Sequence, residues 1–450
     1  MRTTLIGAPG FRRWTKVHHP RTPARIASIA VLEQRGRRWL LAAAVLAVAA
    51  VAVTLALRSG NGQAPHPSPA GGGKPPRAAG KGCDRSAHDE ASLAAQFAAA
   101  SAGQAICLAS GDYGTFRAGK KSGPVTVRPA PGAHPRMSLD FNAVSGVRLQ
   151  RLRIAAATIA GASHDIQIRD SVFTGRAYVD ASQLAGARIV FDGNTHVNID
   201  TCDTCPQGRV HVSGDSGHPA GVLIAHSLFK GGNADGVRAD APGVRIVGNE
   251  FTGFRDEGHF HTDPIQLAGG VDVLIKGNWI HDNDVSAGIM IADGTAHDVI
   301  EDNVVSASGS PFAITLYSDD GSLIAHNTFA DGVCKFGKRC GIVNLGSKVG
   351  AATGKGTMIR NNVLGGIIAD DNGGQSPPPG FTAEHNLVRD GAPGNQQGVP
   401  TYAGPRSRYS GFRLASVSAG RREASDGGAV GIPAKAWTVG PSAALRAVGP

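Results

Sequence analysis

The chain has 450 residues, 62 of them glycine and only 5% aromatic, enough for one large or two ordinary domains and better suited to turn-rich repetition than to helical bundles. Its formal net charge is +10, yet nine Lys/Arg against a single acid, Glu33, fall within residues 1–57, so eight of those charges precede the body. The rest is close to neutral, which excludes nucleic acid as the default partner.

The first element is the uncharged run WLLAAAVLAVAAVAVTLAL, Trp39–Leu57, close to the roughly 20 residues a helix needs to cross a bilayer. The basic segment 1–38 before it should stay cytoplasmic, which puts everything after Leu57 outside. A cleavable signal peptide is the alternative, but signal cores are shorter and no small-x-small site is followed by a mature start. A signal anchor is therefore expected, and both readings export the body. The six cysteines agree, falling into the local pairs Cys83/Cys107, Cys202/Cys205 and Cys334/Cys340, which an exported chain would close as disulfides. A zinc or redox role for the CDTC segment lacks a second ligand pair. Residues 58–82 are a Gly/Pro-rich linker. In DEASLAAQFAAASA, 89–102, helical spacing behind polar capping residues predicts a short helix covering the end of the domain C-terminal to it.

That domain is repetitive. GVRADAPGVRIVGNEFTGF, PIQLAGGVDVLIKGNWIHDN, GIMIADGTAHDVIEDNVVSAS and AITLYSDDGSLIAHNTFADG share a short alternating strand, a polar turn, a V-x-I strand and then Asn before an apolar residue. The Asn recurs at 194, 249, 278, 303, 327, 362 and 386, mostly at spacings in the twenties, and Ser171 and Ser227 take its place in other turns. KVGAATGKG lengthens the step before Asn362. Such a period means stacked coils, none able to bury its apolar face alone. Three- to five-residue strands would wind into an all-β solenoid of parallel sheets with Val, Ile and Leu pointing inward. Stacked Asn amides at a turn can bond to one another and to the backbone.

With these coils and the opening segment AICLASGDYGTFRAGKKSGPVTVRPAPG, 105–132, the chain resembles the right-handed parallel β-helix proteins of the pectate-lyase-like superfamily. It is similar to secreted chondroitinase B-like and alginate lyase-like polysaccharide lyases. YSGFRLASVSAG, 409–420, is similar to the closing segment of such chains. The resemblance implies a single-stranded right-handed β-helix over 83–430, followed by a Gly/Pro/Ala-rich tail at 431–450. It also implies a carbohydrate-active enzyme on acidic polysaccharide, with calcium as a cofactor held by carboxylates.

Stacking the first strands of successive coils, AYVDA, RVHVSG, GVRAD, PIQLA, GIMIA and AITLY, points Val179, Val212, Val237, Ile265, Ile289 and Ile314 inward. The outward rungs are then Tyr178, His211, Arg238, Gln266, Met290 and Thr315; RVHVSG alone admits a shift of two. A second outward row holds Asp180, Ser213, Asp240, Ala268, Ala292 and Tyr317. Rungs about 4.8 Å apart can share one sugar. DEGHFHTDPIQLAGG, 256–270, brings Asp256, Glu257, His259, His261 and Asp263 to the loop before the Gln266 strand. Asp235 should stack on Asp263, and Lys230 leads into the preceding coil.

Two adjacent cations, His211 and Arg238, repel unless an anion lies between or over them, which points to a sugar carboxylate. β-Elimination at a uronate needs that carboxylate neutralised, a base for the proton alpha to it and an acid for the leaving oxygen. Arg238 suits the first role and His211 or His261 the second, with Asp263 orienting His261. Tyr178 or Lys230 would donate the proton. Gln266, His259, Asp180, Asp240 and Tyr317 are candidate sugar-binding residues, and Asp235 and Asp263 candidate calcium ligands. The chain lacks the Asn-x₃-Glu-x-Glu calcium set and the Lys-then-Arg pair one coil apart of chondroitinase B-like lyases. A C5-epimerase would use the same proton abstraction. A glycoside hydrolase would need spaced carboxylates such as the Asp319/Asp320 doublet. A non-enzymatic glycan-binding or adhesion β-helix is the third alternative. The expected partners are an acidic polysaccharide and the cell membrane, with the protein a monomer.

Overall fold

Strands of two to ten residues, alternately inward and outward, fill the chain from Arg85 to Gln397. The computed structural model describes residues 82–441 apart from 185, 203–206, 256–260, 286, 293, 307–308, 310–311, 331–339, 347–353, 370–376 and 436. Within them the chain forms a parallel β-solenoid with three ladders. The first face stacks Ala177–Asp180, Gly208–Ser213, Asp235–Ala239, Ile265–Ala268, Ile289–Ala292 and Phe312–Tyr317. The second stacks Ile189–Asp192, Val222–Ala225, Arg245–Val247, Leu274–Lys276 and Val299–Glu301. The third stacks Thr195–Val197, Leu228–Lys230, Glu250–Thr252, Trp279–His281 and Val304–Ser306.

The inward rows are apolar because every coil repeats its β-branched positions. On the second face Phe191, Ile224, Ile246, Ile275, Ile300, Ile324 and Ile359 stack in register and are fully buried. On the first face Val179 pairs with Val212, whereas Val237 pairs with Val210. The inward residues named from the sequence therefore belong to two parallel rows, because this strand carries two valines with His211 between them.

The turn between the second and third faces holds the recurrent Asn. Asn249, Asn278, Asn303, Asn327 and Asn362 are wholly buried. Each amide donates to an Ile carbonyl and to the Oδ1 of the next Asn, while each Oδ1 also accepts a backbone N–H from the preceding coil, that of Ser227 for Asn249 and of an Asn for the others. Ser171 and Ser227 continue this column around Asn194. One side chain thus satisfies turn groups that burial would otherwise leave unpaired.

A helix, Glu90–Ala99, caps the end with a capping box between Asp89 and Ser92, burying Leu93 and Phe97; it lies inside the sequence-predicted segment. The Cys83–Cys107 disulfide forms across 24 residues with Cα atoms 5.7 Å apart. Cys202 and Cys340 are also disulfide-bonded, and the other halves of their expected pairs, Cys205 and Cys334, lie outside the described residues. The expected membrane span, 39–57, lies outside them too. No described helix is long and apolar enough to cross a membrane.

The C-terminal segment is less featureless than its composition implies. Gly431 N–H donates to Asn361 O, Ile432 N–H to Thr328 Oγ1 and Gly440 N–H to Gly248 O, so it runs back along the coils. Tyr409, Phe412, Ile432 and Trp437 pack on Trp279 and Val304, while Leu414 and Val430 pack on Val363 and Leu387. It covers the outward side of the third face.

One interior residue is chemically out of place. His196 stacks between Phe173 and Phe229 at 4.5 Å from each, is wholly buried and has no partner for either ring nitrogen among the described residues. Burial first, and the charge of Arg209 second, push its pKa down to about 3. Between that value and the ordinary 6.5 the unfolded chain holds a proton that the folded one refuses. Stability is therefore lost as pH falls through this window, by about 1.4 kcal/mol per pH unit. His196→Phe should remove that slope in denaturant titrations run between pH 4 and 6.5; an unchanged slope would contradict it. Asn303→Ala, which orphans Ile275 O and two Asn278 donors, should cost about 3 kcal/mol in the same measurement.

Candidate functional site

The outward side of the first face carries the polar rungs. Tyr178 pairs with His211, His211 with Arg238, Arg238 with Gln266, Gln266 with Met290 and Met290 with Thr315. The two-residue shift open to the RVHVSG strand does not occur. Tyr178 and His211 meet edge to face at 5.5 Å.

A carboxylate of the protein itself lies between His211 and Arg238. Asp240 Oδ2 lies 3.0 Å from His211 Nε2 and 2.9 Å from Arg238 Nε, with Oδ1 3.0 Å from the same Nε. Asp240 follows Arg238 by two and so projects from the same side of the strand. All three side chains are less than one-fifth exposed, which makes the triad costly to break. Asp240 is thus a clamp on His211 and Arg238 rather than an open sugar contact. The adjacency of the two cations needs no sugar carboxylate to explain it. Arg238 Nη1 reaches Gln266 Oε1 at 3.5 Å, and Nη2 has no partner among the described residues.

At the corner where these strands begin, Asp235 and Asp263 stack on adjacent coils. Asp235 Oδ1 accepts the Asp263 N–H at 2.9 Å, and Asp263 Oδ1 accepts the Ala287 N–H at 3.1 Å. Both carboxylates are buried. The second oxygen of Asp263 lies 2.9 Å from His261 Nδ1, and the His261 side chain is 57% exposed. Burial, then the charge of Asp263, lifts the Asp235 pKa to about 7, against the opposing influence of His261 and Arg238. The corner therefore lies within electrostatic reach of the Arg238 rung.

Arg209, which sequence reasoning passed over, belongs to this corner. It precedes His211 by two on the same strand and is wholly buried. Its guanidinium lies 3.9 Å from the Phe254 ring centre and donates through Nη2 to Gly231 O. Burial lowers its pKa to about 9, opposed by Asp200 and Asp235. Its neighbour on the next strand is Gly236, where an added Cβ would meet Pro264 O at 2.4 Å. An Arg in an outward position opposite a glycine was the available signal.

Other residues fall elsewhere. Lys230 ends a strand of the third face, paired with Val197 and Thr252, so it is not on the Tyr178–Gln266 rungs; each coil has three faces, and sequence proximity to a corner does not choose among them. Asp180 Oδ1 caps the following 3₁₀ turn through Ser182, whose hydrogen bonds lower its pKa. Tyr317 pairs with Gly346, three coils beyond Asp240 and so roughly 14 Å away. His259, Asp256 and Glu257 lie outside the described residues. Asp319 is buried and accepts from Ser322 and Thr357 hydroxyls, whereas Asp320 is paired with Lys355 at 3.8 Å; this doublet is a turn and not a pair of hydrolytic carboxylates.

Calcium needs six to eight oxygen ligands. Asp235 and Asp263 each give one oxygen to a backbone N–H, Asp263 gives the other to His261, and Asp240 is held by His211 and Arg238. Among the described residues no group of three or more His, Cys, Asp or Glu is placed to share an ion. The described donor set does not fit calcium.

A chain with this solenoid and this outward strip has recognisable relatives. It belongs to the family described as right handed beta helix region, which matches residues 155–329 and, overlapping, 208–388. No curated protein sequence matches it. Among solved structures, a PL6 family alginate lyase is similar with a TM-score of 0.52 and 14% identity, covering 79% of this chain and 57% of that one. This chain thus spans little more than half that enzyme's length. A pectate lyase is similar at TM-score 0.38 and 15% identity, covering 78% of this chain and 97% of that one. The A-module of a mannuronan C-5 epimerase from Azotobacter vinelandii is similar at 0.28 and 14%, covering 69% and 96%. At such identities the likeness is one of fold.

The raised Asp235 pKa has a measurable consequence. Between 3.8 and about 7 the folded state holds a proton that the unfolded chain has released, so this group's contribution to stability falls as pH rises through that window. Asp235→Asn keeps the acceptor for the Asp263 N–H and should flatten that decline in denaturant titrations. A slope equal to that of the parent protein would contradict the assignment.

Proposed function

We propose that the protein acts on a uronate-containing acidic polysaccharide by β-elimination at the outward strip of its first face. One observation carries the reading. A half-exposed histidine oriented by a buried carboxylate stands at the strand start of the coil next to an arginine whose Nη2 is unclaimed among the described residues. Arg238, fixed through Nε by Asp240, offers its outer edge to the sugar carboxylate, and Gln266 contributes an amide alongside. Neutralising that carboxylate stabilises the carbanion-like charge that builds when the proton alpha to it leaves.

His261 is the better of the two candidate bases. His211 spends Nε2 on Asp240 and is only 13% exposed. His261 is far more accessible and is oriented through Nδ1 by Asp263. The base takes the alpha proton, its electron pair becomes the ring double bond and the bond to the leaving glycosidic oxygen breaks. That oxygen takes its proton from water, since Tyr178 stands three coils, roughly 14 Å, from the coil that carries His261 and Lys230 lies on another face. The likeness in fold to an alginate lyase supports this chemistry only as an analogy.

The segment Trp39–Leu57 and the basic residues before it support placing this domain outside the cytoplasm, held at the cell membrane by one helix.

Incubating the protein with uronate polysaccharides should raise ultraviolet absorbance from the unsaturated product. His261→Ala and Arg238→Ala should each slow that rise by roughly a hundredfold or more. New reducing ends without absorbance would instead indicate a hydrolase, solvent-proton exchange without cleavage an epimerase, and binding alone an adhesin or lectin-like role; each contradicts the elimination reading.

A further inference from the structure

On the third face the C-terminal segment covers the outward row around Leu387, Val363, Val304 and Trp279. Toward the capped end, Thr195, Val172 and Arg153 continue this row and line a cavity of about 560 Å³, within the usual range for small-molecule sites. The turn 129–135 forms its opposite wall, where Pro129 and Pro131 give a stiff apolar rim. The Cys83–Cys107 bridge also lines it.

Its charge is unbalanced. Arg128, Arg151 and Arg153 line the cavity against a single carboxyl, Asp170. Arg151 and Arg153 are exposed and have no side-chain hydrogen bond or ion pair with any described residue. Arg151 also has a φ of +55°, at a corner occupied in neighbouring coils by Asp170, Gly193 and His226. A long side chain is uncommon in that conformation, which favours Gly, Asn and Asp. Arginine at 151 therefore works against local backbone preference, and its guanidinium is the feature it contributes. Two exposed guanidinium groups over an apolar rim, Arg151 feeling the charge of Asp170 without a hydrogen bond to it, suit a ligand with a carboxylate at one edge and C–H faces beside it.

We infer that this cavity is a second, non-catalytic binding site for a carboxylated sugar, with Arg151 and Arg153 engaging the carboxylate and the proline rim the ring. The inference shares with the proposed function only the acidic nature of the saccharide. Arg153 opens the strand Arg153–Ala160, whose far end pairs with Tyr178, so one polysaccharide could contact both places around a corner of the coil.

Calorimetric titration of full-length His261→Ala with tetrasaccharides of mannuronate, guluronate and galacturonate tests it, with neutral cellotetraose and inorganic sulfate as controls. At least one acidic tetrasaccharide should occupy two sites per chain. Adding Arg151→Ala and Arg153→Ala should reduce this to one, and circular dichroism should show the variant folded. A stoichiometry untouched by the two arginine substitutions would overturn the site. So would equal binding of cellotetraose at this location, or equal competition by sulfate, which would mark a simple anion site. Unsaturated product from the wild-type protein reports separately on the first face. Elimination with unchanged stoichiometry sinks only the second site, and an arginine-dependent site without elimination sinks only the catalytic reading.

Discussion

The buried asparagine column is the constraint on which the rest depends. A parallel ladder can slip, and a slip of one residue would turn every inward side chain to the solvent. Here each coil is pinned at one corner by amides that have no partner except the coil beside them and the strand carbonyls they close. Because those groups lie away from water, a shift would cost several unpaired donors at once. The register on the other two faces follows from that corner.

Once register is fixed, chemistry on the first face is a matter of which residues become neighbours. His211 and Arg238 are 27 positions apart in the chain, yet become adjacent rungs, and the Asp240 carboxylate bonds to both. The same stacking puts Asp235 under Asp263, where burial, and then the like charge of Asp263, raise the Asp235 pKa to about 7. Arg209 beneath Phe254 supplies a compensating cation to that corner. The strip is therefore a preorganised surface whose charges mostly answer one another, leaving His261 and the outer edge of Arg238 facing outward.

Much of this was legible in the sequence because the solenoid repeats its signals. The Asn positions, the alternating strands and the rung order from Tyr178 to Thr315 all follow from a period in the twenties and strict inward–outward alternation. What was not legible came from the third dimension of the coil. Lys230 sits five residues before a first-face strand, yet its side chain belongs to the third face, since a corner intervenes. The closeness of Asp240 to both His211 and Arg238 depends on rotamers, and spacing alone left it as a sugar contact. Arg209 lies against Phe254, two coils' worth of chain later, a contact that spacing alone does not reveal. The C-terminal residues Ile432 and Trp437 carry no periodicity of their own and acquire a place only against Trp279 and Val304.

A solenoid built this way separates its two duties. Interior columns of Ile, Phe and Asn hold the coils together, and outward rows are free to carry charge wherever loops or the C-terminal segment leave them open. The central claim is that register assembles a sugar-acid site from Arg238, Gln266 and His261 on adjoining coils. Its most direct test is a crystal structure of the His261→Ala protein with a bound uronate oligosaccharide. The account predicts a sugar carboxylate against the Nη edge of Arg238, with the neighbouring ring over Gln266. An oligosaccharide bound only elsewhere on the solenoid, with the Nη edge of Arg238 untouched, would contradict it.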